Sequence, residues 1–144
     1  MSSNAGRPQI PADMKAFNEK LIAEFRANRG ELISGPLAGT KPLLLTTTGA
    51  KSGLPRTVVV GFRPSGEDFI AIASNNGNDV APAWFRNLLA DPNVTIEVGP
   101  DKIKVRARVA TPQERPELAK LIDYLDRQQA LTSREIPIVV FERL

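Results

Sequence analysis

The run Leu43-Leu44-Leu45-Thr46-Thr47-Thr48 constrains this chain more than any other stretch. Three leucines followed by three β-branched residues describe a fully buried strand, and Gly49 ends it at once. A second β-favouring run follows over residues 56–63, so the segment between them, Gly49-Ala50-Lys51-Ser52-Gly53-Leu54-Pro55, is a turn. Gly49 and Gly53 let the backbone come close to a ligand, while Lys51 offers a point charge and Arg56 a planar fork of donors. Such a turn can grip an anion. A hairpin loop with solvated charges would use the same residues. The segment lacks the Gly-x4-Gly-Lys-Ser/Thr order of a nucleotide phosphate loop and opens into a strand instead of a helix.

The remaining elements are read from spacing and punctuation. Residues 1–11 are polar and contain Gly6, Pro8 and Pro11, the composition of a flexible arm. Met14, Phe17, Leu21, Ile22 and Phe25 recur at helical spacing over residues 13–28, with Gly30 as the stop. After residues 43–48 come strands over 56–63 and 69–74, separated by the turn Pro64-Ser65-Gly66-Glu67. A short helix over 82–90 starts with proline in its first turn. A hairpin joins strands 94–98 and 102–109 across Gly99-Pro100-Asp101. Thr111-Pro112-Gln113-Glu114 is a capping box, opening a helix with Leu118, Leu121, Ile122 and Leu125 on one face, and residues 137–141 form the last strand. Six strands joined mostly by short hairpins predict a mixed α+β, mainly antiparallel fold with one sheet curled on itself and helices packed around it.

Composition narrows the chemistry. At 144 residues the chain has the length of one domain, read as 12–144, that buries about 68–70% of its unfolded surface. It contains no cysteine and no histidine, which removes disulfides, thiolate zinc sites, cysteine nucleophiles, the Ser-His-Asp triad and the usual general base. No metal site is expected. An enzyme built from these residues has to borrow its chemistry. No apolar run approaches the ~20 residues of a membrane-spanning helix, and the first eleven residues lack the apolar core of a signal peptide, so a cytoplasmic location is the expectation. The net charge of +3 is a mild bias toward anionic partners.

A second segment gives the turn its context. Ala73-Ser74-Asn75-Asn76-Gly77 is followed by Pro82-Ala83-Trp84-Phe85-Arg86-Asn87-Leu88, and the chain closes with Ile136-Pro137-Ile138-Val139-Val140. Together with Thr46-Thr47-Thr48-Gly49-x-Lys51-Ser52-Gly53-x-Pro55-Arg56, these segments resemble the deazaflavin (coenzyme F-420)-dependent nitroreductase family of actinobacteria, from about Lys41 to the C-terminus. The resemblance implies the split β-barrel fold shared with flavin-binding oxidases, and coenzyme F-420, an 8-hydroxy-5-deazaflavin, as cofactor. It implies that Lys51 and Arg56, with Ser52 as a further donor, hold the cofactor's phosphate and oligoglutamate tail. It places Ser74, Asn75, Asn76, Gly77 and the adjoining Ala73 at the deazaflavin ring, and Thr57, Val58, Val60, Ala83 and Trp84 along the cofactor pocket. An ordinary Asn-Gly turn would account for Asn76-Gly77, and a core position for the single tryptophan, Trp84. Nitro-reducing relatives carry a tyrosine where Gly61 stands, and their tyrosine-rich lid is replaced by the shorter, more polar residues 124–133.

The resulting expectation is a reductase that passes a hydride from reduced cofactor to an electrophilic small molecule: an enone, unsaturated lactone, quinone or nitroaromatic. Ser74 and Tyr124, the only phenol, are the candidate proton donors. A flavin mononucleotide (FMN) enzyme of the same fold and a non-catalytic carrier of a cofactor or lipid-like ligand are the alternatives. Lys102, Lys104, Arg106 and Arg108 alternate with apolar residues and give one strand a basic face; without interleaved aromatics for base stacking, nucleic acid is not an expected partner. Peripheral contact with the inner face of a membrane stays open, as does the oligomeric state.

Overall fold

The structure, a computed structural model, describes residues 14–144; the expected arm over 1–11 lies outside them. Its centre is β1 (Leu43–Thr48), which pairs antiparallel with β2 (Pro55–Val60) on one side and β5 (Asn93–Val98) on the other. With β3 (Arg63–Ser65), β4 (Asp68–Ile72), β6 (Asp101–Val109) and β7 (Ile138–Arg143) it completes one antiparallel sheet in the order β2-β1-β5-β6-β7-β4-β3. The leucine run explains the central place of β1. Leu43 and Leu45 enter the core inside the curled sheet and Leu44 the core behind it, and all three are fully buried. Each contributes roughly 1.5–3 kcal/mol by leaving water.

Helices close both faces. Helix α1 (Met14–Ala27) lays Leu21 and Phe25 on Leu44 and Val59, and it ends where Arg29 and Gly30 turn left-handed at φ 55° and 96°. A Cβ on Gly30 would stand 2.5 Å from the Cα of Gly99, so that crossing requires glycine. Helix α2 (Ala83–Ala90) inserts Leu88 into the inner core. The short helices α3 (Arg115–Ala119) and α4 (Leu125–Gln129) cover a third cluster of Ile70, Ile72, Ile122, Leu125, Ile136, Ile138 and Val140.

Two expectations are corrected. The sheet has seven strands, because the single strand expected over 56–63 breaks at Gly61-Phe62: β2 pairs with β1 at one edge of the sheet, whereas β3 pairs with β4 at the opposite edge. Those two residues cross the open seam of the curled sheet. Pro64 and Ser65 therefore belong to edge strand β3, where a missing proline N–H costs little, and only Gly66 and Glu67 turn. The expected long helix after the capping box is also two short ones. Thr111 and Glu114 exchange the reciprocal bonds of the box, Thr111 N to Glu114 Oε2 at 2.7 Å and Glu114 N to Thr111 Oγ1 at 3.3 Å. The helix nevertheless stops at Ala119, Leu121 stays 45% exposed, and the chain reorients so that Ile122 and Leu125 reach the core while Tyr124 faces the seam.

Candidate functional site

The seam holds a cleft of about 530 Å³ between the β2 edge and the end of β4. Val58 and Val60 form one wall, Ser74, Asn75 and Asn76 another, and Tyr124 and Trp84 face it from the helical side. A second hollow of about 490 Å³ is lined by Lys51, Ser52, Arg56, Ala83 and Asn87. Both are bounded by Val58 and Trp84, so the two hollows adjoin, and we refer to them as the two compartments of one groove. One carries amide and hydroxyl groups among its valines, and the other sets two cations beside apolar walls.

The cationic end is built on a rigid turn. Gly49 N donates to the Leu54 carbonyl and Gly53 N to the Gly49 carbonyl, both at 2.8 Å, and Gly53 takes φ 71°. A Cβ on Gly49 would lie 2.6 Å from Ser52 Oγ, which itself accepts from Leu54 N at 3.2 Å. Asn87 on α2 anchors the turn from inside: its Oδ1 accepts from Ala50 N at 3.0 Å and its Nδ2 donates to Thr47 Oγ1 at 3.1 Å. Lys51 and Arg56 project from this frame into solvent, and neither has an ion-pair partner among the described residues. Two unpaired cations on a fixed backbone favour an anion with several acceptor oxygens.

At the Ser74 end the Tyr124 hydroxyl is buried and has no hydrogen-bond partner among the described residues. Burial pushes its pKa up; Arg63, whose guanidinium lies 4.8 Å from the ring centroid, opposes that, and Asp123 adds to it. Arg63 is itself held by Asp123 Oδ1 at 2.6 Å. A Cβ on Gly61 would come 3.5 Å from the hydroxyl, an ordinary van der Waals contact, so position 61 borders the phenol directly. An orphaned buried hydroxyl at a cleft wall is a donor awaiting an acceptor.

The loop after β4 is the third component. Asn75, Asn76 and Gly77 take three successive positive φ angles of 48°, 59° and 78°. Asn75 Nδ2 donates to the Val80 carbonyl at 2.9 Å and Asn78 Nδ2 to the Asn75 carbonyl at 2.7 Å. Gly77 packs so tightly on Leu131 that a Cβ would fall 2.6 Å from Cδ1.

Of the residues expected at the site, Lys51, Ser52, Arg56, Val58, Val60, Ser74, Asn75, Asn76, Ala83, Trp84 and Tyr124 line the groove. Thr57, Ala73 and Gly77 do not. Thr57 pairs its hydroxyl with Thr46 at 2.8 Å and its carbonyl with Asn18 Nδ2, Ala73 is fully buried behind the wall, and Gly77 seats the loop on Leu131. Sequence reasoning missed Asn87, although an asparagine beside Leu88 on the apolar side of a short helix is a legible signal. It also missed Asn18 and Arg134, whose partners are far away in the chain. The basic face of β6 is partly neutralised, since Arg108 is engaged by Glu114 and Glu142.

Comparison with known proteins agrees with this geometry. Residues 19–143 match the family described as F420H(2)-dependent quinone reductase. An F420H(2)-dependent quinone reductase of Mycobacterium tuberculosis is 36% identical over 130 residues, covering 84% of this chain and 86% of the relative. A solved structure described as an F420-H2 dependent reductase superposes with a TM-score of 0.65 at 31% identity, over 70% of this chain and 93% of that one. Another, described as a domain-swapped dimer, gives a TM-score of 0.67 at 27% identity over 86% and 96% of the two chains. The curled antiparallel sheet, the groove along its seam and the match over nearly the whole described chain lead to one assignment: the protein belongs to the F420H(2)-dependent quinone reductase family, on an α+β split-barrel fold.

Proposed function

We propose that this protein reduces quinones with reduced coenzyme F-420 as the electron source. The observation that carries the proposal is the two-compartment groove, with unpaired Lys51 and Arg56 at one end and the unpartnered Tyr124 hydroxyl at the other. This polarity fits a long ligand with an aromatic head and a polyanionic tail. Lys51, Arg56 and Ser52 would hold the tail, and Val58, Val60, Trp84 and the Ser74 loop would hold the ring. When bound, the cofactor supplies a low-potential hydride, which no side chain of this chain can supply.

The protein's own contribution is binding, orientation and proton placement. Val58, Val60 and Trp84 give apolar walls that exclude water and hold a flat acceptor against a flat donor. The Tyr124 hydroxyl, kept neutral by burial, donates to a quinone oxygen as negative charge grows there. Ser74 is the second hydroxyl on the wall.

Among the described residues no helix is long and apolar enough to cross a membrane. Exposed Leu37 and Lys41 line a shallow hollow that adjoins the cleft at Val59 and Gly61, an apolar and basic surface suited to peripheral contact with an anionic bilayer carrying a quinone.

The test is an anaerobic assay of purified protein with reduced coenzyme F-420 and menadione, following the return of the oxidised cofactor's visible absorbance. Turnover that depends on both protein and quinone is expected. Cofactor binding without quinone-dependent turnover would reduce the protein to a carrier.

A further inference from the structure

The Ser74–Asn78 loop is held from behind by one side chain. Arg134 Nη2 donates to the carbonyls of Ala73 and Ser74, both at 3.0 Å, and Arg134 Nε donates to the carbonyl of Asn78 at 2.9 Å. Arg134 is only partly exposed and does not line the cleft. Its own backbone is fixed in turn. Gln129 Nε2 donates to the Arg134 carbonyl at 2.6 Å, and Gln129 Oε1 accepts from Ile136 N at 2.9 Å. Thr132 Oγ1 adds a bond to Asp79 Oδ1 at 2.5 Å, which ties the same segment to the far end of the loop.

Peptide planarity turns this clamp into a statement about the cleft. In a trans peptide the N–H points opposite to the C=O. With the Ala73 and Ser74 carbonyls drawn back onto Arg134, the N–H groups of Ser74 and Asn75 point the other way, and both residues line the cleft. Neither amide has an acceptor among the described residues. Three consecutive left-handed residues, two of them non-glycine, are a costly arrangement and persist where surrounding contacts over-determine them.

We infer that Arg134 is a positioning residue: by holding three carbonyls behind the loop it presents the Ser74 and Asn75 amides to the cleft as a paired donor set for an electron-rich acceptor edge of the bound ring. The inference rests on the cofactor reading above. It adds a residue that touches neither ring nor substrate yet sets the geometry of those that do. A guanidinium suits the task because its planar fork spreads its donors over separate nitrogens in fixed directions, Nε to Asn78 and Nη2 to Ala73 and Ser74, whereas an ammonium crowds its three donors on one atom.

The test compares Arg134→Met and Arg134→Lys with Arg115→Met, a control that loses a 2.8 Å bond to the Ile136 carbonyl of the same segment without touching the loop. Two readouts are taken on each: the Kd for oxidised coenzyme F-420, from quenching of Trp84, and amide hydrogen exchange of the ligand-free protein. Arg134→Met is expected to raise the Kd by ~10- to 100-fold and to speed exchange selectively at the two bonded amides of the loop, Gly77 N on the Ser74 carbonyl and Asn78 N on the Asn75 carbonyl, because three hydrogen bonds to a charged group are lost. Arg134→Lys should recover part of both effects, and Arg115→Met should leave the Kd unchanged. Unaltered exchange at the loop, or a Kd that follows only the loss of melting temperature in all three variants, would overturn the inference. If the wild type fails to bind the cofactor, the functional reading falls on its own, and the exchange comparison alone decides the clamp.

Discussion

Asn87 and Thr47 form a buried side-chain pair, Nδ2 to Oγ1 at 3.1 Å, that ties helix α2 to the end of β1 just before the cationic turn. Because the Asn87 carbonyl oxygen also accepts from Ala50 N, one side chain couples the core to the backbone that carries Lys51. Asn87→Ala strands the Thr47 hydroxyl and the Ala50 amide. A loss of about 1–3 kcal/mol of stability is expected in denaturant unfolding, together with weaker cofactor binding. Asn87→Asp keeps the acceptor but not the donor and should fall between.

Arg56 and Lys51 carry the opposite expectation. Both are exposed and unpaired, so Arg56→Ala should weaken cofactor binding by roughly 1.5–3 kcal/mol, and the double change with Lys51→Ala should leave apo melting nearly unchanged. Unchanged affinity in the double variant would make both residues solvated loop charges.

Tyr124→Phe separates catalysis from stability. Its hydroxyl is buried with no partner among the described residues, so removing it relieves a desolvation cost in the apo protein, and the melting temperature should hold or rise. Turnover with menadione should fall. Since burial raises the phenol's pKa and the chain has no histidine or cysteine, single-turnover rates of the wild type should vary by less than about threefold between pH 5 and 8. A bell-shaped profile abolished by Tyr124→Phe would show a tuned phenol instead.

Acid stability has an identifiable contributor at the start of α3. The Arg108 guanidinium, then the Thr111 amide, hold the Glu114 carboxyl down at about 2 from 4.5. A depressed carboxyl pKa stabilises the fold above the unfolded value and loses that contribution as pH falls through the folded one. The wild type should therefore lose stability between about pH 4.5 and 2 more steeply than Glu114→Gln, which should already be weaker at neutral pH. Parallel pH profiles would remove Glu114 from the account.

How much of this was legible in the sequence depends on whether the deciding interaction is local. The first half of strand β1 was readable residue by residue, because burial on both faces leaves the unbroken run Leu43 to Leu45; the expected full burial does not extend to Thr46 and Thr48, which are half-buried. The capping box was readable because both of its bonds lie within four residues. The break at Gly61-Phe62 was not, since residues 56–63 have uniform strand character and only the pairing of opposite sheet edges divides them. The split of the helix after Thr111 escaped for the same reason: its apolar spacing continues through Leu121, but tertiary packing buries Ile122 and Leu125 and leaves Leu121 outside. At the site, the cationic turn was legible from glycine and charge spacing. Arg134 was not, because its acceptors Asn78, Ser74 and Ala73 lie 56, 60 and 61 residues away.

The central claim is that the groove is shaped for a deazaflavin with an anionic tail. Titrating the purified protein with oxidised coenzyme F-420 and, separately, with flavin mononucleotide, while following Trp84 fluorescence, tests it most directly, because Trp84 borders both compartments. The account predicts saturable quenching by the deazaflavin at an affinity at least about tenfold above that for flavin mononucleotide, a margin equal to ~1.4 kcal/mol. Equal affinities, or tighter binding of flavin mononucleotide, would contradict it.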